Sequence, residues 1–182
     1  MRFLILTVLL LAAAPGWVRG ADAAAESVEA PPSTEARLLR LRHTHTNEKI
    51  EIAYWRDGDY VPDALEALNR FLRDFRTGDI TQMDPALFDL LHEVYRRSGS
   101  TGWFEIISAY RSPATNEMLR SRSNGGVARR SQHLLGTAMD VRLTDVPIDR
   151  IREIALEMKS GGVGFYRRSN FVHLDTGRFR TW

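Results

Sequence analysis

Ser131-Gln132-His133-Leu134-Leu135-Gly136-Thr137-Ala138-Met139-Asp140 and Asn170-Phe171-Val172-His173-Leu174-Asp175 are the two stretches on which the reading of this chain turns. In the second, alternation puts His173 and Asp175 on one face of a strand and Val172 and Leu174 on the other. In the first, Gly136 and Ala138 leave room for a loop-to-strand turn into a strand over Ala138 to Leu143, which carries Asp140. His133, Asp140 and His173 are two imidazoles and one carboxylate, the donor set of a catalytic zinc that keeps a fourth position open for water or substrate. The spacing from His133 to Asp140 carries little weight alone. A His-Asp pair on one strand face is also how a buried imidazole finds a hydrogen-bond partner. Taken together, the three residues predict a metallohydrolase with one zinc per chain.

Working outward, alternation from Arg37 (Leu39, Leu41) and again at Ile50, Ile52 and Tyr54, around a polar turn from Thr46 to Lys49, predicts a β-hairpin. Pro62 and Asp63 open a helix with Leu65, Leu68, Phe71, Leu72 and Phe75 at helical spacing, closed by Gly78. A second helix starts at Pro85 with Asp84 as N-cap and ends at Gly99, its stripe being Leu87, Leu90, Leu91, Val94 and Tyr95. Trp103 to Tyr110 reads as a strand that delivers Arg111 to a turn. Pro113 starts a short helix through Arg122, and Ser123 to Arg130 is a Gly-rich polar loop. Pro147 to Ser160 forms the last long helix, with Ile148, Ile151, Ile154, Ala155 and Met158 inward. Strands at Val163 to Tyr166 and Phe171 to Thr176 follow. The expected class is α+β, a small, mostly antiparallel sheet with helices packed on it.

The N-terminus, Met1-Arg2 followed by an apolar run from Phe3 to Ala14 and small residues beyond Pro15, is that of a secretory signal peptide over residues 1–20. Its apolar part is too short to span a bilayer, so no stable membrane insertion is expected after cleavage, which follows either Gly20 or Ala23. The absence of cysteine excludes a lipoprotein signal and disulfide staples. No twin arginine precedes the apolar run, which favours the general secretory route, and the periplasm is the expected compartment. Residues 21–36, rich in Ala, Glu, Pro and Ser, read as a disordered leader, which leaves 37–182 as one domain. Without Arg2 and Arg19 the 25 basic residues become 23 against 23 acidic ones, a formal charge of zero that asks for no nucleic acid. Partner proteins are not legible.

Several separated phrases, in order, resemble the zinc D-Ala-D-Ala peptidase (hedgehog-like) superfamily. They are Tyr54-Trp55-Arg56-Asp57-Gly58, Ser108-Ala109-Tyr110-Arg111-Ser112-Pro113, Ser131-x-His133-x-x-Gly136-x-Ala138-x-Asp140, Gly161-Gly162-Val163-Gly164-Phe165-Tyr166 and Phe171-Val172-His173-x-Asp175-Thr176-Gly177. The closest branch is the murein endopeptidase K type. The resemblance implies a hedgehog/DD-peptidase fold, one zinc on His133, Asp140 and His173, and peptidoglycan stem peptides as substrate. In that branch the bond cut joins two diaminopimelate residues. The superfamily also holds D,D-carboxypeptidases and dipeptidases, and a zinc protein that binds peptidoglycan without cutting it is a further alternative.

Roles for the remaining residues follow from their chemistry. Arg111 stabilises an oxyanion, holds a substrate carboxylate or makes a strand-end salt bridge. Many relatives carry a general-base Glu three residues before the last zinc His; Asn170 stands there and cannot take a proton. Asp175 is left either as base or as the residue that orients His173. Ser131 binds substrate backbone or caps its turn, and Tyr110, Tyr166 and Arg168 are candidates for the cleft wall. His43 and His45 are expected at the surface, and His92 on its helix has no assigned role.

Overall fold

The computed structural model describes residues 35–122 and 126–182. The signal-peptide and leader readings, up to residue 34, and the Ser123 end of the Gly-rich loop lie outside them. The element order is β1 (Ala36–His43), β2 (Lys49–Arg56), β3 (Asp59–Tyr60), α1 (Pro62–Phe71), α2 (Pro85–Ser98), β4 (Phe104–Ser108), α3 (Pro113–Arg122), a 3-10 turn (Gln132–Leu135), β5 (Ala138–Leu143), α4 (Ile148–Met158), β6 (Gly162–Tyr166), a second 3-10 turn (Arg167–Ser169), β7 (Phe171–Asp175) and β8 (Arg180–Thr181). Among the described residues the strands form one sheet in the order β3-β2-β1-β4-β5-β7-β6-β8. It is mostly antiparallel. β1 and β4 are parallel because α1 and α2 intervene and supply the crossover, and β8 joins β6 in parallel.

The α+β class therefore stands. α2 and α4 pack on each other, α2 also on β1 and α4 on β5, β6 and β7. The core runs from Leu39, Leu41 and Tyr54 through Leu87, Phe88 and Leu91 to Ile151, Ile154 and Val172. α2 keeps the expected punctuation, with the Asp84 side chain accepting the Ala86 N–H and Gly99 closing in the left-handed conformation. Among the described residues no helix is long and apolar enough to cross a membrane.

Two expectations need correction. The first helix stops at Phe71 rather than near Gly78. The buried Asp74 carboxylate accepts N–H groups from Arg76 and from distant Ser112, each at 2.9 Å, and so turns the chain out of the helix. Phe75, freed from the helix, stacks on His45 at 4.0 Å and meets His43 edge-on. His43 is accordingly buried, 1% exposed, and not at the surface; His45 is exposed as expected.

Register positions the chemistry. Asp140 on β5 lies directly opposite His173 on β7, His173 lies opposite Gly164 on β6, and Ser108 on β4 lies opposite Asp140 past a bulge. Cross-strand neighbours on one face have Cβ atoms about 5 Å apart, so this row forces the carboxylate and the imidazole together.

Candidate metal centre

His133 reaches the row from the 3-10 turn. Ser131 caps that turn, its hydroxyl accepting the His133 N–H at 3.4 Å. Gly136 ends it at φ 71°, pressed so closely on the Gln82 carbonyl that a Cβ would sit 2.6 Å away. The end of β4 locks the imidazole. Nδ1–H of His133 donates to Ala109 O at 2.7 Å, while Arg111 N–H donates back to His133 O at 3.1 Å. The Nε2 lone pair is thereby turned inward.

His173 is fixed from the opposite side. Its Nε2–H donates to Asp175 at 2.9 Å, which leaves Nδ1 as the free lone pair, 2.9 Å from Asp140 Oδ1 and 3.2 Å from His133 Nε2. His133 Nε2 is 3.3 Å from the same carboxylate oxygen. All three donor atoms lie within 4.8 Å of one another, and all three residues are buried. Donors on a tetrahedral zinc at 2.0–2.1 Å stand about 3.3 Å apart, close to these separations. With both ring protons committed elsewhere, two lone pairs and a carboxylate face one point. That arrangement suits a cation.

Burial works to raise the Asp140 pKa, but the His133 and His173 imidazoles outweigh it and hold the carboxyl well below the usual range. Burial works to lower the His173 pKa, and its bonds to Asp140 and Asp175 reverse the direction. Asp175 is fully buried. Its carboxylate accepts from His173, from both terminal nitrogens of Arg180 and from the Gly162 and Gly177 amides. Against the pull of burial these partners hold its pKa well down as well.

The donor cluster forms the floor of a cavity of about 690 Å³ that is also lined by Arg111, Arg130, Ser131, Tyr166, Phe171, Arg180 and Trp182. Arg111 keeps only long contacts there, 3.4 Å to Asn116 and Ser108 and 3.9 Å to Asp140, and its buried Nε has no partner. Burial depresses its pKa and Asp140 partly offsets this.

Of the residues singled out in the sequence, Arg111, Ser131, His133, Asp140, Tyr166 and His173 are brought together here. Two readings change. Tyr110 does not line the cavity; it packs against the core on the Asp74 and Asp79 side, as expected of the neighbour of an inward residue in extended chain. Asp175, read as base or as the residue that orients His173, stands outside the cavity lining with donors from His173, Arg180, Gly162 and Gly177, a placement that suits the orienting role. Asn170 sits in a left-handed turn outside the cavity, and Arg168 is exposed. Arg180 and Trp182 escaped the sequence reading. Their signal was the glycine run. A Cβ on Gly162 would strike Asp175 and Arg180, and one on Gly164 would lie 2.6 Å from the Trp182 indole.

An α+β sheet that sets a buried His-Asp-His cluster in the floor of an open cavity has the frame of a single-metal hydrolase. The family model described as Peptidase_M15_2, peptidoglycan L,D-endopeptidase MepK, matches residues 31–182. The peptidoglycan L,D-endopeptidase MepK of Escherichia coli (strain K12) is 44% identical over 146 residues, covering 80% of each chain, and that of Shigella flexneri matches equally. The probable peptidoglycan L,D-endopeptidase MepK of Haemophilus influenzae is 38% identical over 158 residues, 86% of this chain and 84% of its own. Among solved structures, the vancomycin-resistance D,D-dipeptidase VanXYg aligns at 18% identity and a TM-score of 0.38, over 57% of this chain and 54% of its own. This chain belongs to the MepK family of M15 peptidases.

Proposed function

We propose that this chain is an exported zinc endopeptidase that hydrolyses peptide cross-links of peptidoglycan, at the bond between two diaminopimelate residues. Residues 1–20 are its signal peptide, 21–36 a leader and 37–182 the zinc peptidase domain, acting in the periplasm. The observation that carries the reading is the convergence of His133 Nε2, His173 Nδ1 and Asp140 within 4.8 Å at the cavity floor, supported by relatives named as endopeptidases of this polymer.

His133, Asp140 and His173 would hold a zinc ion, which would supply an activated water with a pKa of about 7 and a Lewis acid for the scissile carbonyl. Ala109 and Asp175 keep the two imidazoles in the tautomers that ligation needs. Arg111, close to Asp140 and short of partners, stabilises the carbonyl oxygen as it gains charge. Ser131 offers its hydroxyl at the wall. Among the described residues lining the cavity, Asp140 is the one carboxylate and would be a metal ligand, so the charge that develops on the carbonyl oxygen falls to the cationic Arg111, with no free carboxylate base beside it.

Digestion of purified sacculi with and without a chelator tests the assignment. Zinc near one equivalent, shortened muropeptides and loss of both in His173→Ala are expected. Bound zinc with an unchanged muropeptide profile would instead mark a peptidoglycan-binding protein. Release of D-Ala from a D-Ala-D-Ala peptide, with cross-links intact, would mark a carboxypeptidase.

A further inference from the structure

We propose that the Tyr166 hydroxyl is a catalytic hydrogen-bond donor, aimed at the scissile carbonyl oxygen as charge develops on it, and that Trp182 is the positioning residue that holds it there. The inference rests on the peptidase reading above.

A phenol has one proton to give and lone pairs to receive, whereas an indole N–H can only donate. Trp182 Nε1–H donates to the Tyr166 oxygen at 2.8 Å. The phenolic proton is therefore left to point elsewhere, and among the described residues no protein group accepts it. Tyr166 lines the same cavity as the donor cluster, so the unused proton is available to a molecule lying in it.

Both rings are held. Tyr166 stacks on Phe171 with centroids 4.6 Å apart and planes at 19°. Trp182 pairs with β6 through its own N–H to Val163 O and through its carbonyl, which accepts from the Phe165 N–H at 3.0 Å. Its indole lies in the gap that Gly164 leaves open, with the Arg180 guanidinium 5.0 Å from its centroid. On its other side it is 5.1 Å from the His173 ring. Arg180 grips Asp175 and Asp175 grips His173, so one short segment, 180–182, fixes both a metal ligand and the phenol.

Of the two hydroxyls among the described residues lining the cavity, Ser131 accepts from the His133 amide at 3.4 Å and Tyr166 from the Trp182 indole at 2.8 Å, and Tyr166 is the one whose ring is also fixed by a stack. Donors aimed at an oxyanion act only as charge appears, so their removal lowers kcat and leaves ground-state binding nearly intact.

The test uses the zinc-loaded full chain and a cross-linked muropeptide, comparing wild type with Tyr166→Phe, Trp182→Phe and the double variant. Tyr166→Phe keeps the ring stack and should lose about 10- to 100-fold in kcat with KM changed less than about 2-fold and zinc content unchanged. Trp182→Phe should lose less, and the double variant should be no worse than Tyr166→Phe, as expected for residues acting as one unit. An undiminished kcat in Tyr166→Phe overturns the catalytic role, and additive losses overturn the positioning role. In chelated protein the Trp182 indole N–H resonance should shift upfield in Tyr166→Phe; an unmoved resonance overturns the hydrogen bond itself. A wild type that binds zinc and leaves the muropeptide intact sinks the peptidase reading and this proposal with it. An active wild type with an equally active Tyr166→Phe sinks only the role of the phenol.

Discussion

At the scale of single residues, the second contacts matter as much as the metal-facing atoms. Asp175 never meets the cavity, yet it decides which nitrogen of His173 carries the proton. Asp175→Asn retains size but offers one acceptor and one donor where His173 and Arg180 both donate. Zinc affinity should fall about 10- to 100-fold, measured by titration against a competing chelator, while the helical signal is retained. His43 makes a separate prediction. Burial first, then the neighbouring His45, push its pKa from 6.5 to about 4, with Glu48 pulling up and Arg73 down. Because the folded pKa is the lower, the unfolded chain takes up the proton first, and stability must fall as pH drops from 6.5 toward 4. His43→Asn keeps an acceptor for the His45 and Thr46 amides that the Nδ1 now serves. Urea midpoints of chelated protein should decline less steeply over that pH window in the variant than in wild type.

At the scale of elements, backbone geometry carries the argument. Gly136 and Gly78 share a left-handed conformation, φ 71° and 79°, but only Gly136 is pressed on another segment, the Gln82 carbonyl. Gly78→Ala should cost about 1 kcal/mol, the price of the conformation alone. Gly136→Ala adds a clash that must push the His133 turn away, so it should cost roughly 2–3 kcal/mol and weaken zinc binding, both read by calorimetry. These elements also show what the sequence made legible. His133, Asp140 and His173 could be read because each has metal-ligand chemistry and because pleating fixes which strand residues share a face. Gly99 and Asp84 could be read because caps are local. The early end of α1 could not, since Asp74 is captured by Ser112 from a distant loop. β8 could not either, because a strand over Arg180–Thr181 is too short to show alternation, and Trp182 gains its meaning only from its seat on Gly164. The side to which Tyr110 turns was likewise a tertiary fact.

At the scale of the whole molecule, the donors tie together parts of the chain that are far apart in sequence. The 3-10 turn, β5 and β7 each supply one ligand, the end of β4 braces His133, and segment 180–182 braces His173 from behind. The unfolded chain cannot present that set, so a zinc ion held there would stabilise the folded state by mass action, by about 2.7 kcal/mol at a free concentration one hundred times Kd. For a domain of this size each kcal/mol moves the midpoint about 2–4 °C, so a chelator should lower Tm by about 5–10 °C. His133→Ala should melt at the same temperature with or without chelator, because the site it completes is gone. Arg111→Lys separates binding from chemistry. Its charge stays near Asp140 but the fork is lost, so the chelator-sensitive Tm should persist while muropeptide hydrolysis falls. If His133→Ala kept the chelator shift, the stabilising ion would lie elsewhere in the molecule. If Arg111→Lys lost it, Arg111 would belong to the architecture of the donor cluster and not to catalysis at its surface.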